Sequence, residues 1–140
     1  MNFVLDASVT LLWLAPSTQP AGIDYADAAL ATLCEAQAYV PSLWALEIAN
    51  VVVKLETRGA VTEAEGQRFI ALLERLDIVA DPATASRALN DTLNLARRHK
   101  LSAYDAAYLE LALRTGLPLA TLDANLKKAA LSVGVPIFSP

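Results

Sequence analysis

The chain has 140 residues, of which 55% are hydrophobic and 19% charged, and a formal net charge of −4. That length suits one domain, long enough to bury ~68% of its unfolded surface. The acidic balance excludes a protein that coats nucleic acid by overall electrostatics, and any local nucleic-acid site must bring its own cations from side chains or bound metal.

In chain order, residues 2–5, NFVL, read as a short buried strand ending at Asp6. The terminus MNFVLDAS has no basic flank and places an acid where a secretory signal needs apolar residues. SVTLLWLA then reads as helix, and so does the Ala-rich stretch 21–38. Within it lies the single cysteine, Cys34, which rules out an internal disulfide and is expected as a small buried hydrophobe in a protein of the reducing cytoplasm. YVP (39–41) predicts a second strand. Ser42 is placed to cap a long helix reaching about Arg58, with Gly59 as its stop. TEAE (62–65) has the form of a capping box and opens another helix. DIVA (77–80) predicts a third strand, with Asp81-Pro82 starting a helix. The stretch LSAYDAAYLELAL (101–113) is a helix stopped by Gly116. LPLAT (117–121) is a strand, Asp123 opens a helix, and VPIF (135–138) is a last strand after Gly134. No apolar run approaches the ~18 residues of a membrane span.

Short apolar strands alternating with longer helices predict an α/β domain with a mostly parallel central sheet. No linker or repeat divides residues 1–140, which are read as one domain. In such sheets ligands bind beyond the carboxyl ends of the strands, near a switch in strand order. Asp6 and Asp123 stand there, each just past a strand.

Four acids carry the functional reading, and each has a plainer one. Asp6 serves a turn equally well. Asp105 lies on an apolar helical stripe with Leu101, Tyr108, Leu109 and Ala112, and Ser102-x-x-Asp105 is also a capping-box variant. Glu47, followed on its helix by Asn50 and Lys54, suits a solvated face, and Asp123 suits a helix cap. Taken together they read differently. Four carboxylates gathered at one sheet edge repel by up to ~4 kcal/mol per close pair at an effective dielectric of 20. Such a cluster persists by taking up protons or binding a cation. Oxygen donors without His or Cys partners favour Mg²⁺ or Mn²⁺ over zinc.

These residues in this order resemble the PIN-domain ribonucleases, most closely the VapC-type toxins of type II toxin–antitoxin pairs. The resemblance runs through FVLDAS, PSLWALEIANVV, LSAYDAAYLELAL and LATLDANL, and so spans the whole chain. It implies a three-layer α/β/α domain and a Mg²⁺- or Mn²⁺-dependent endoribonuclease. Asp6, Glu47, Asp105 and Asp123 would be its catalytic, metal-binding acids, with Asp6 and Asp105 as the first direct ligands. Ser8, Asn50 and Thr121 would orient carboxylates or waters around them. It further implies an RNA substrate and an antitoxin whose carboxyl-terminal segment lies in an apolar groove and brings a basic side chain toward the acids. The apolar content of SVTLLWLA and LWALEIANVVV points to a homodimer built from helices.

Arg97, Arg98 and Lys100 precede the Asp105 helix and are either the basic end of the previous helix or phosphate contacts. Lys127 and Lys128 have the same ambiguity. Trp13 and Trp44 are expected in the core or an interface. Two rival enzyme classes fit poorly. LDASVT approaches the Asp-x-Asp-x-Thr signature of haloacid dehalogenase-type phosphatases, but Ser8 stands where their second Asp must be. A phosphoacceptor receiver domain needs an acceptor Asp after the central strand and a late Lys that DIVADP and PLATLD do not supply. The rival of a different class is a PIN-like module kept for protein binding without catalysis.

Overall fold

The computed structural model describes all of Met1–Pro140. Four parallel strands form the sheet: β1 (Phe3–Leu5), β2 (Ala38–Pro41), β3 (Ile78–Asp81) and β4 (Leu119–Ala120), in the order β3-β2-β1-β4. The chain therefore steps from β1 outward through β2 to β3, then returns to the far side of β1. That reversal opens the crevice at the carboxyl ends of β1 and β4, where Asp6 and Thr121–Asp123 lie.

Alternation along β1 builds the layers. Phe3 and Leu5 face one way, into a core with Val40, Ala120 and α2 (Ile23–Thr32) through Ala26 and Ala29. Val4 faces the other way with Leu119, against α7 (Ala103–Thr115) and α8 (Ala124–Ser132). Helices therefore cover both faces of the strands, which is why β1 reads as a continuous apolar run. The domain is three-layered, α/β/α. A hairpin of α3 (Trp44–Thr57) and α4 (Glu63–Glu74) packs Ile48 and Val52 on Phe69 and Leu73. No helix is long and apolar enough to cross a membrane.

The local differences from the sequence reading have physical causes. The helix after Asp6 is α1 (Ala7–Thr10), which tightens into a 3₁₀ turn at Leu11–Trp13, and α2 stops at Thr32. Cys34 is exposed in the turn beyond α2, not buried on a helix. Ser42 does not cap α3: Leu43 holds that position without a side-chain bond, and the Ser42 N–H donates to Thr84 Oγ1 at 3.0 Å. TEAE, by contrast, forms the full reciprocal box. Beyond β3 the chain makes α5 (Thr84–Arg87), a π-turn at Ala88–Thr92 and α6 (Leu93–His99). VPIF supplies one bridge, Ile137 to Leu119, instead of a strand.

α7 is buried from Ala106 through Ala112 without a break, so it is enclosed all round and not striped. It packs on β1, β2, α6 and α8. Gly116, at φ 70°, ends it in the left-handed conformation that glycine adopts without steric cost. Both tryptophans are structural. Trp13 Nε1 donates to the Ala26 carbonyl at 2.8 Å, and Trp44 Nε1 donates to Thr10 Oγ1 at 3.3 Å.

Candidate active site

β1 ends at Leu5, and the next residue, Asp6, is carried into the crevice with 5% of its surface exposed. Two hydroxyls fix its carboxylate. Ser8 Oγ donates to Asp6 Oδ2 at 2.6 Å, and Thr121 Oγ1 donates to the same oxygen at 2.7 Å. Each hydroxyl is itself held by backbone from the β4 side: Leu122 N–H donates to Ser8 Oγ and Asp123 N–H to Thr121 Oγ1, both at 3.0 Å. This lacing ties the two strand ends together and leaves Oδ1 outside the hydroxyl pair.

The other three acids arrive on helices. Ser102 Oγ accepts the Asp105 N–H at 3.0 Å, so Ser102 caps α7 and Asp105 sits in its first turn, half-buried. Asp123 caps α8, with Oδ1 accepting the Leu126 N–H at 2.8 Å. Each plainer reading thus holds at the backbone without removing the carboxylate from the crevice, because a helix start points toward the strand ends. Glu47, in the first turn of α3, is half-buried and accepts a hydrogen bond from Tyr108 Oη at 2.5 Å. It faces inward, away from the solvated side of α3.

The four acids form one electrostatic group. Burial pushes Asp6 up to about 6 from 3.8, against the pull of its two hydroxyls, and Asp105 and Asp123 raise it further. Burial also raises Glu47, with Asp6 and Asp105 adding to it and the Tyr108 hydroxyl opposing. Asp105 is raised by burial and by Asp123, against the Ser102 hydroxyl. No Lys or Arg figures among the groups acting on any of the three.

As placed, the side chains do not form a closed cage of three or more ligands. A hard cation that keeps several waters needs only one or two carboxylates directly, and the all-oxygen donor set fits magnesium or manganese in that manner. Zinc, which wants nitrogen or sulfur ligands in a tight tetrahedron, does not fit.

Of the remaining expected residues, Ser8 and Thr121 stand on Asp6. Asn50 is exposed on α3, one turn beyond Glu47, and bonds to none of the acids. Arg97, Arg98 and Lys100 close α6 at the surface, and Arg97 reaches only Asn94. Tyr108 is the residue that sequence reasoning missed. Its spacing makes it one position of an apolar stripe, yet a buried Tyr needs a partner for its hydroxyl, and Glu47 is that partner.

Comparison with known proteins follows the same lines. The family model for the PIN domain matches residues 3–131. Ribonuclease VapC3 of Pyrobaculum aerophilum is 30% identical over 126 residues, covering 90% of this chain and 92% of that protein. The crystal structure of PAE2754 from Pyrobaculum aerophilum superposes with a TM-score of 0.64 at 23% identity, over 92% of this chain and 79% of that one. VapBC2 of Rickettsia felis, solved bound to a DNA fragment from its promoter, superposes with a TM-score of 0.67 at 14% identity, over 99% and 98% of the two chains. At those identities the two structures speak to the fold.

Proposed function

The chain belongs to the PIN domain family, and from that premise we propose that it is a Mg²⁺- or Mn²⁺-dependent endoribonuclease, the toxin of a toxin–antitoxin pair. One observation carries the reading: Asp6 and Asp105 are each coupled by charge to Asp123 and to Glu47 at the strand ends, and no Lys or Arg enters to offset them. The ribonuclease name of the VapC3 relative supports RNA as the substrate. We take residues 1–140 as one catalytic domain.

When bound, a divalent ion lowers the pKa of a coordinated water and offsets charge that builds on a phosphodiester during in-line attack. The chain's own residues prepare for that. Ser8 and Thr121 clamp Asp6 Oδ2 and leave Oδ1 to reach a ligand. Tyr108 fixes one oxygen of Glu47 and keeps the other available. Asp105 and Asp123 approach on the starts of α7 and α8. Incubation of the purified protein with RNA in Mg²⁺, with and without chelator, tests the proposal. Cleavage that the chelator stops is expected. Cleavage that is unaffected by chelator, or absent under both conditions, would sink it and leave a binding module.

The surface supports a protein partner as well. SVTLLWLA is largely packed away, but α3 leaves Leu46 76% and Val53 56% exposed. Beside it, Trp44, Ala45, Ile48 and Ala49 form an apolar groove of about 270 Å³ with Leu73 and Ile78. Glu47 lies on the same helix. An antitoxin segment in that groove would bring an Arg or Lys to the acids and compete there with metal. The exposed α3 residues suit a homodimer, which light scattering at micromolar concentration checks.

A further inference from the structure

Between the end of α6 and the body of α8 lies a separate cleft of about 470 Å³, lined by Arg98, His99, Lys100, Asn125, Lys128 and Ser132 and by no carboxylate. Arg98, Lys100 and Lys128 are exposed, and none is in an ion pair. In a chain of net charge −4, cations grouped without acids run against the average. The dipole of α6 accounts for basic residues in its last turn. It does not account for Lys128, which comes from the middle of another helix.

Two further features converge on this cleft. Lys100 has φ 54° and is the one non-glycine residue with positive φ. The left-handed turn closes α6, with the Leu101 N–H donating to the Ala96 carbonyl at 3.1 Å, and Lys100 makes it at a steric cost that the glycine in the corresponding position of α7 avoids. His99 Nε2 is buried without a hydrogen-bond partner, the sole such side-chain atom in the protein.

The cleft also adjoins the acidic crevice along the chain. Lys100 is two residues before Ser102, the cap of the Asp105 helix, and Asn125 is two residues after Asp123. We propose that this cleft is a phosphate-binding subsite for single-stranded RNA, holding a backbone phosphate a few nucleotides from the bond presented to the acids. The proposal rests on the ribonuclease reading and deepens it. An otherwise acidic protein holds its substrate by a local cationic cradle next to a site that repels phosphate until metal is bound.

The test measures fluorescence anisotropy of labelled single-stranded RNA with full-length Asp6→Asn protein, in chelator, over a series of salt concentrations. Arg98→Ala/Lys128→Ala in that background should weaken binding by at least ~10-fold at low salt and flatten the slope of log affinity against log salt by ~0.7 for each phosphate no longer neutralised. Arg68→Ala/Arg75→Ala, two exposed cations of α4 and its end, removes the same charge and should leave the slope unchanged. Lys100→Gly should raise the thermal midpoint while weakening RNA binding several-fold, a combination that a merely structural residue does not give. An unchanged slope in the cleft variant, or an equal loss in the α4 control, overturns the proposal. So does normal RNA binding with loss of antitoxin binding, which would assign the cleft to the protein partner. The ribonuclease reading fails separately, if the unmutated protein binds RNA through the cleft and cleaves none in Mg²⁺.

Discussion

Two buried acids at the carboxyl ends of parallel strands behave in opposite ways. Asp6, after β1, and Asp81, at the end of β3, expose 5% and 6% of their surfaces. Asp81 lies in an ion-paired cluster: Arg114 reaches it with two nitrogens and also holds the buried Glu110 at 2.9 Å. Burial raises Asp81, but Arg114, the Ala83 N–H and Thr84 outweigh it and hold its carboxyl below the ordinary range. Asp6 is as hidden from solvent but enclosed more deeply by the protein, has two hydroxyls and no cation, and is pushed up. Depth of enclosure and the presence of a counter-charge together set the two acids apart. One cluster carries its counter-charge within the chain, while the other is built to receive it.

The largest expected effect follows from removing the uncompensated charge. Asp6→Asn and, separately, Asp105→Asn keep shape and hydrogen bonding but remove charge that a hard cation needs. Each should lower RNA cleavage by more than the ~100-fold typical of losing a residue that merely orients a ligand. Near wild-type cleavage by either variant at the same Mg²⁺ concentration would refute the site. The other cluster should respond in the reverse sense. Arg114→Met leaves Asp81 and Glu110 buried without their cation and should cost ~3–5 kcal/mol in denaturant unfolding. Folded Arg114→Met protein should still cleave. Loss of cleavage in protein that remains folded would show that the two clusters are coupled.

The sequence makes the acidic cluster visible and conceals the ion-paired one. Asp6, Glu47, Asp105 and Asp123 sit in motifs that repeat a family order, and strand–helix alternation alone places two of them beside the switch in strand order. Asp81 reads as a helix opener, and Glu110 as one more position in an apolar run. Arg114 lies 33 residues from Asp81, and no local periodicity reports such a pair. Tyr108 is hidden similarly, since Glu47 is 61 residues away. Local chemistry that closes within a few residues, such as Thr62 with Glu65, is readable. Ser42 misleads because a cap depends on the turn geometry: the helix starts one residue later, with Leu43 in the cap position. The last strand fails for a simpler reason: Pro136 interrupts VPIF, and proline cannot donate to a ladder.

A pH series sharpens the comparison further. Asp6 titrates near 3.8 when unfolded and about 6 when folded, so between those values the folded protein holds a proton that the unfolded chain has released. Its raised pKa therefore contributes stability to the metal-free protein that is fully present below about pH 4 and is lost as pH rises through about 6. The change amounts to ~3 kcal/mol, and Glu47 and Asp105 act in the same direction. Asp81 has the opposite sign: its lowered pKa gives stability that is present above the unfolded value and lost on acidification. Urea unfolding in chelator from pH 4 to 8 should show the fall, and Asp6→Asn should flatten much of it. Added Mg²⁺ should restore stability at pH 8 in the wild type and far less in Asp6→Asn. A metal-free protein whose stability is level across that range would mean that the acids are not coupled in solution.

The smallest effect separates the helix cap from the site it supports. Ser102 Oγ accepts the Asp105 N–H and so holds the helix start in place. Ser102→Ala should cost ~1 kcal/mol, the usual loss for an N-cap hydroxyl. The Asp105 carboxylate stays in the first turn of α7, so cleavage should fall much less than in Asp105→Asn. Ser102→Gly should recover most of the stability, because glycine at a cap costs only a few tenths of a kcal/mol. Asp105 is raised by burial and Asp123 against the Ser102 hydroxyl, so losing that hydroxyl should move Asp105 further upward. The Mg²⁺ concentration for half-maximal cleavage should then rise, and rise more on the acid side of the profile than on the alkaline side. If Ser102→Ala leaves stability unchanged and removes cleavage as completely as Asp105→Asn, Ser102 belongs to the reacting site and the cap is incidental.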